Sequence, residues 1–416
     1  MSFFIRILLI VLFSLSHAAA DSYGTRTVTS INSTNQNVGS NSNPSIHNPG
    51  QVYYNGIGNT VNKWVIGSSP TIILDGDDEN NIYTLSSGWL NKAYVNSAGK
   101  VVLHAEGDDT GDFDGISILS SGGSHTRIDK SLGNSTAFNG CSGSMAINAN
   151  GVIATACNVV PSFTDQTVFI STDGSSLTKI VDEASHSGLH SNMTVWGITD
   201  DATPKVLIGG YQDGTSPLDK QLFLHDGSTK TLVDDRNNVC GLHADTNDSG
   251  VVLYSTTSST SCADNTVPVD IVKKFDNGTT STIVDSTGEF ETFSWVKISD
   301  SEEITIMARK DDTTNDGIYL KSGSDWITVI EEGDVIGGAT VTGLIMGDIN
   351  DSKQIAFNFQ LDNGDGTYTA YVLRSETTVT NGGSDELRMG DNSADLTVNG
   401  GTITDDGDYN KVVKSG

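Results

Sequence analysis

The stretch "INDSKQIAFNF", Ile349–Phe359, reads as a polar turn followed by an apolar strand. Near-copies stand upstream: "ISDSEEITIMA" from Ile298, "TNDSGVVLYS" from Thr246, "ITDDATPKVLIGG" from Ile198, "INANGVIATA" from Ile147 and "VNSAGKVVLHA" from Val95. The polar residues that open the turns are Asn96, Asn148, Thr199, Asn247, Ser299 and Asn350, at successive spacings of 52, 51, 48, 52 and 51 residues. Copies at so constant a period mark an internal repeat, in which one supersecondary unit buries its faces against its neighbours.

Each repeat carries a second hairpin after an acidic or Gly-rich loop. "QTVFISTDGSSLTKIVD", "KQLFLHDGSTKTLVD" and "IVKKFDNGTTSTIVD" all show it, with Asp173-Gly174, Asp226-Gly227 and Asn277-Gly278 at the turns. Such dipeptides supply the positive φ that tight hairpins require. The strand after each turn phrase ("VVLHA", "VIATA", "VLIGG", "VVLYS", "ITIMA", "IAFNF") is the most apolar, as in a strand covered on both faces. Four short antiparallel strands in about fifty residues make one propeller blade. The expected fold is therefore all-β: a β-propeller of six or seven four-stranded blades. "WVIGSSPTIILDGDD" from Trp64 resembles the second half of a further repeat whose first half is missing. It completes a seventh blade or closes the ring against C-terminal strands.

The flanks differ. Residues 1–20 combine the basic start "MSFFIR", the apolar run "ILLIVLFSLS" and the small residues Ala18 and Ala20, the pattern of a signal peptide. Residues 21–50 are polar and lack strand alternation, and read as an arm or linker. The repeat domain is expected over 51–380, and a Gly/Asp-rich tail over 381–416. Export to the extracellular space or cell surface follows, with no membrane insertion after signal cleavage and a monomeric state.

The chain holds 52 acidic against 23 basic residues, a net charge of −29. That balance argues against nucleic acid and anionic membranes, whose recognition needs basic patches. Extracellular proteins or glycans are the partners it leaves.

The turn-Gly-strand phrase, best carried by Asn350–Phe357, resembles bacterial secreted tandem-repeat proteins of the NxxGxxAF type, over roughly residues 60 to 375. Lys353 stands where that pattern has Gly, and Pro204 and Glu302 mark departures in two other copies. The resemblance implies an exported propeller-like array and supplies no catalytic residue. The tail "SADLTVNGGTITDDGDYNKVVKSG" is similar to the opening of autotransporter-type β-strand repeats.

Four cysteines in an exported chain suggest two disulfides. Cys141 and Cys157 lie symmetrically about the turn Asn148–Gly151, so they should face each other across one hairpin. Cys240 stands ten residues before Gly250, as Cys141 does before Gly151, and pairs in this reading with Cys262. For metals, "DDTGDFDG" offers Asp112 and Asp114 as calcium candidates, but only part of the EF-hand spacing is present. An acidic hairpin loop is the plainer reading, and no cofactor is required.

No H-E-x-x-H, no G-x-S-x-G and no sialidase-type S-x-D-x-G-x-x-W box occurs. The expected function is an extracellular binding, adhesion or structural module. A polysaccharide hydrolase or lyase with carboxylates at the channel is the alternative, and an autotransporter passenger fragment a third reading. Convergence of acids and aromatics at one channel mouth would favour the enzyme.

Overall fold

The computed structural model describes residues 22–30, 44–47, 50–56, 60–65, 68–75, 93–96, 98–105, 115–119, 125–127, 138–159, 166–174, 176–182, 190–211, 220–234, 243–257, 269–311, 313–336, 339–362, 368–381 and 387–388. It divides into two units. The larger, Thr29–Leu373, holds the repeats. The smaller joins the two ends, Met1–Val28 and Arg374–Gly416; there the Ser22–Ser30 and Leu387–Arg388 strands pair with the Tyr368–Asn381 strand.

In the larger unit each repeat folds as one antiparallel sheet whose strands follow chain order. Taking the sheets in sequence, their innermost strands are Ser45–His47, Ala93–Val95, Phe138–Ile147, His190–Ile198, His243–Thr246, Phe290–Ile298 and Ala339–Ile349. The first six of these sheets are four-stranded, and side chains are described in all four strands of five of them. The last runs from Val335–Ile336 through Ala339–Ile349 and Gln354–Leu361 to Tyr368–Asn381. Among the described residues no helix is long and apolar enough to cross a membrane.

The second strand of each repeat is buried on both faces because alternate side chains serve different neighbours. Val206 and Ile208 pack with Ala154, Ala156 and Val168 of the preceding sheet. Leu207, between them, packs with Ala244, Val252 and Tyr254 of the following one. One sheet alone would leave both faces wet; in a ring each covers the next.

The turn phrases join the sheets. Asn148 Oδ1 accepts from Val152 N at 2.8 Å, closing its own turn, and Asn148 Nδ2 donates to Thr199 O at 2.8 Å in the next sheet. Asn96 repeats this toward Asn148 O at 3.0 Å, and Asn247 toward Ser299 O at 3.5 Å. Asn350 Nδ2 reaches His47 O at 3.5 Å, so the last sheet abuts the first. Gly347 permits that closure: a Cβ there would lie 2.2 Å from Pro44 O and 2.6 Å from Ala356 O.

Two expectations change. The polar arm proposed for 21–50 includes strands at Ser22–Ser30 and Ser45–His47. The first half of the repeat that ends near Trp64 is not missing. It is Ser45–His47 and Gln51–Gly56, which pair with each other and then with Thr60–Val65, so the C-terminal strands do not complete that sheet. His47 stands where other copies carry Asn, and Gly50 supplies the turn's positive φ of 88°.

A candidate ligand site in the central channel

The innermost strands face a common axis, and a cavity of about 320 Å³ opens there, lined by residues from each of the sheets among the described residues. One layer is set by the repeat itself. The residue two before each turn-opening residue is Ser45, Tyr94, Ala146, Gly197, Asp245, Lys297 or Asp348, and each lies on the cavity wall. The ladders show that these positions are equivalent, pairing with Tyr53, Val102, Ala154, Leu207, Leu253, Thr305 and Ala356.

Within this layer Lys297 Nζ lies 3.0 Å from Asp245 Oδ1 and 4.0 Å from Asp348 Oδ1. Asp245 Oδ2 also accepts from Ile298 N at 3.0 Å. Burial pushes the Asp245 carboxyl up to about 6, against the opposing pull of Lys297. Burial alone would lower Lys297, but Asp245 and Asp348 outweigh it and raise the ammonium above its usual range. Both partners are therefore charged at neutral pH. Burial raises Tyr94, in the same layer, to about 12.

The turn side of the channel carries a second set of carboxylates. Asp300 Oδ1 accepts from Asp248 N and Asp351 Oδ1 from Ser301 N, each at 2.8 Å, so these two side chains tie adjacent sheets. Asp200 Oδ1 does the same for Ala149 N at 2.8 Å. Asp248 sits between Asp200 and Asp300. Burial, then repulsion from Asp300 and Asp200, raises it to about 8, so it holds a proton at neutral pH.

Trp196 and Trp295 supply aromatic wall, and the His243 ring lies between them, with centroids 6.0 Å from Trp196 and 4.3 Å from Trp295. Three residues of the lining also carry a polar atom that is sealed from solvent and has no hydrogen-bond partner: Ser45 Oγ, His47 Nε2 and Trp196 Nε1.

Among residues expected from sequence to matter, Cys157 is disulfide-bonded, and Cys141 faces it in the ladder. Asp112, Asp114, Cys240 and Cys262 lie outside the described residues. Among the described residues no group of three or more His, Cys, Asp or Glu is arranged to hold a metal. Sequence reading missed the channel residues, although a fixed offset from each turn would have found the layer from Ser45 to Asp348.

No protein-family model matches the chain, and no curated protein matches its sequence. Among solved structures, an oligogalacturonate lyase from Vibrio parahaemolyticus superposes with a TM-score of 0.54 at 8% identity, covering 86% of this chain and 98% of that one. The chain is a β-propeller. A prolyl endopeptidase structure superposes with a TM-score of 0.51 at 12% identity, covering 79% of this chain and 46% of the other. At such identities the likeness concerns the propeller fold alone, since one fold hosts unrelated functions.

Proposed function

We propose that this propeller is an exported, seven-bladed glycan-binding module that takes one sugar unit in its central channel. The observation that carries the reading is a cavity in which Trp196 and Trp295 stand beside the side chains of Asp245, Asp300 and Asp348. Aromatic walls with a few fixed polar groups suit a hydroxylated ring, whose faces are apolar and whose edge hydrogen-bonds. Export is supported by the N-terminal pattern and by the disulfide at Cys157, which persists in oxidising compartments. Calorimetric titration with a panel of mono- and oligosaccharides tests the reading. Binding that falls at least tenfold in Trp295→Ala is expected. A panel in which no sugar binds, or binding indifferent to Trp295, would reject it.

One observation favours a second reading, glycan cleavage. Burial and repulsion from Asp300 and Asp200 raise Asp248 to about 8, and a carboxyl that keeps its proton near neutrality is what a general acid requires. A reducing-end assay on any glycan that binds decides it: new ends lost in Asp248→Asn support cleavage, and an intact glycan rules it out.

A further inference from the structure

We infer that Asn277 is a self-modifying site on the protein surface: its side-chain amide is lost through a cyclic imide with Gly278, leaving isoaspartate or aspartate in a hairpin turn.

Asn277 and Gly278 form the two-residue turn between the Ile271–Asp276 and Thr279–Asp285 strands, with Asp276 and Thr279 paired at its base. Both turn residues have positive φ, 45° and 82°, as such hairpins require. Asn277 is exposed, and a Cβ built on Gly278 would meet nothing within 4 Å. With no side chain beside it, the glycine nitrogen is unshielded. An electrophile, the Asn277 carboxamide carbon, and a nucleophile, the Gly278 nitrogen, thus adjoin in open space.

The freedom of that nitrogen sets this turn apart. In the two preceding sheets the hairpin glycine donates its N–H, Gly174 to Ser171 Oγ at 3.1 Å and Gly227 to His225 Nδ1 at 2.9 Å. Those turns also carry Asp173 and Asp226 in place of asparagine. Asn150–Gly151 is the other asparagine–glycine pair whose side chain is described. There Gly151 N donates to Asn148 O at 2.9 Å and Asn150 Nδ2 to Asp200 O at 3.3 Å, so both reacting groups are held. Among the described residues neither the Asn277 side chain nor Gly278 N has a hydrogen-bond partner.

The reaction balances with water as its only co-reactant. Gly278 N attacks Asn277 Cγ, its proton passes to the amide nitrogen, and ammonia leaves as the succinimide ring closes. Water then opens the ring. Breaking the ring bond to Cγ gives aspartate; breaking the bond to the main-chain carbonyl carbon gives isoaspartate, which lengthens the backbone by one carbon. Either product adds a carboxylate beside Asp276. Isoaspartate also spoils the tight turn, so Thr279–Asp285, the outermost strand of its sheet, loosens from Ile271–Asp276.

The test is peptide mapping by mass spectrometry, with enzymatic methylation to detect isoaspartate, on folded protein incubated at mildly alkaline pH. Conversion at Asn277 is expected at least about tenfold faster than at Asn150, whose reacting groups must first break hydrogen bonds. Amide exchange across Thr279–Asp285 should quicken in the aged protein and not in aged Asn277→Gln, whose longer side chain closes the imide poorly. If Asn277 stays intact in the folded protein while the same peptide converts in urea, the turn prevents attack and the inference is overturned. Asn150 keeping pace with Asn277 overturns it too, since the hydrogen bonds would then not select the site. Conversion with unchanged amide exchange would reject the loosening of the strand.

Discussion

Asn148 Nδ2 donates to the carbonyl oxygen of Thr199 across the boundary between two sheets, at 2.8 Å and out of contact with water. The same side chain accepts from Val152 N, so one residue closes a turn and fastens a neighbour. Asn148→Ala strands both backbone groups, each worth about 1–3 kcal/mol when buried unpaired. A loss of about 2–4 kcal/mol is expected in urea unfolding. A loss below about 0.5 kcal/mol would show that the sheets are held by apolar packing alone.

The contact of the last sheet with the first is a steric matter at Gly347. Any Cβ meets the Pro44 and Ala356 carbonyls, both backbone atoms that cannot swing aside. Gly347→Ala should cost about 1–3 kcal/mol or more. Gly288→Ala is the control, since its Cβ would have 3.9 Å to the nearest atom and an unstrained φ. Equal melting temperatures for the two variants would mean that the closure tolerates adjustment.

Two copies of the turn keep the left-handed backbone without glycine: Glu302 at φ 63° and Lys353 at φ 57°. A side chain in that region costs about 1–2 kcal/mol. The ion pair of Lys353 with Glu303 at 3.3 Å is half-exposed and returns little of that cost. Lys353→Gly should therefore stabilise the protein, by roughly 0.5–1 kcal/mol after the extra chain entropy of glycine. Unchanged or reduced stability in chemical denaturation would contradict the strain assigned here.

Asp248 gives stability a pH dependence whose sign is fixed. Its carboxyl is raised from 3.8 to about 8 in the folded chain, so between those values the native state holds a proton that the unfolded state has lost. Stability from this group is complete below the unfolded value and declines as pH rises toward 8. Asp248→Asn, which cannot ionise, should flatten the fall of melting temperature between pH 4 and 8. A parent and variant with parallel profiles would show that Asp248 does not hold this proton.

The sequence showed the repeat because turn chemistry is local. Asn96, Asn148, Asn247 and Asn350 each place an oxygen over the amides that follow, and a period of about fifty residues survives any variation between them. The copy at His47 was hidden because imidazole replaces the amide there and the polar run before it resembles a linker. The site was illegible for a different reason. Asp245, Lys297 and Asp348 are separated by 52 and 51 residues and meet only because ring closure brings their strands to one axis. Each by itself is an unremarkable charge before a turn. Only the period, applied as an offset to all copies at once, turns them into a layer.

The central claim is that the channel binds a sugar unit against its tryptophan wall. A crystal structure of the protein soaked in mono- and oligosaccharides tests it most directly. Density for one sugar unit in the cavity, with a ring face on Trp295, is expected. A channel filled with water alone, or sugar bound only on the outer surface, would contradict it.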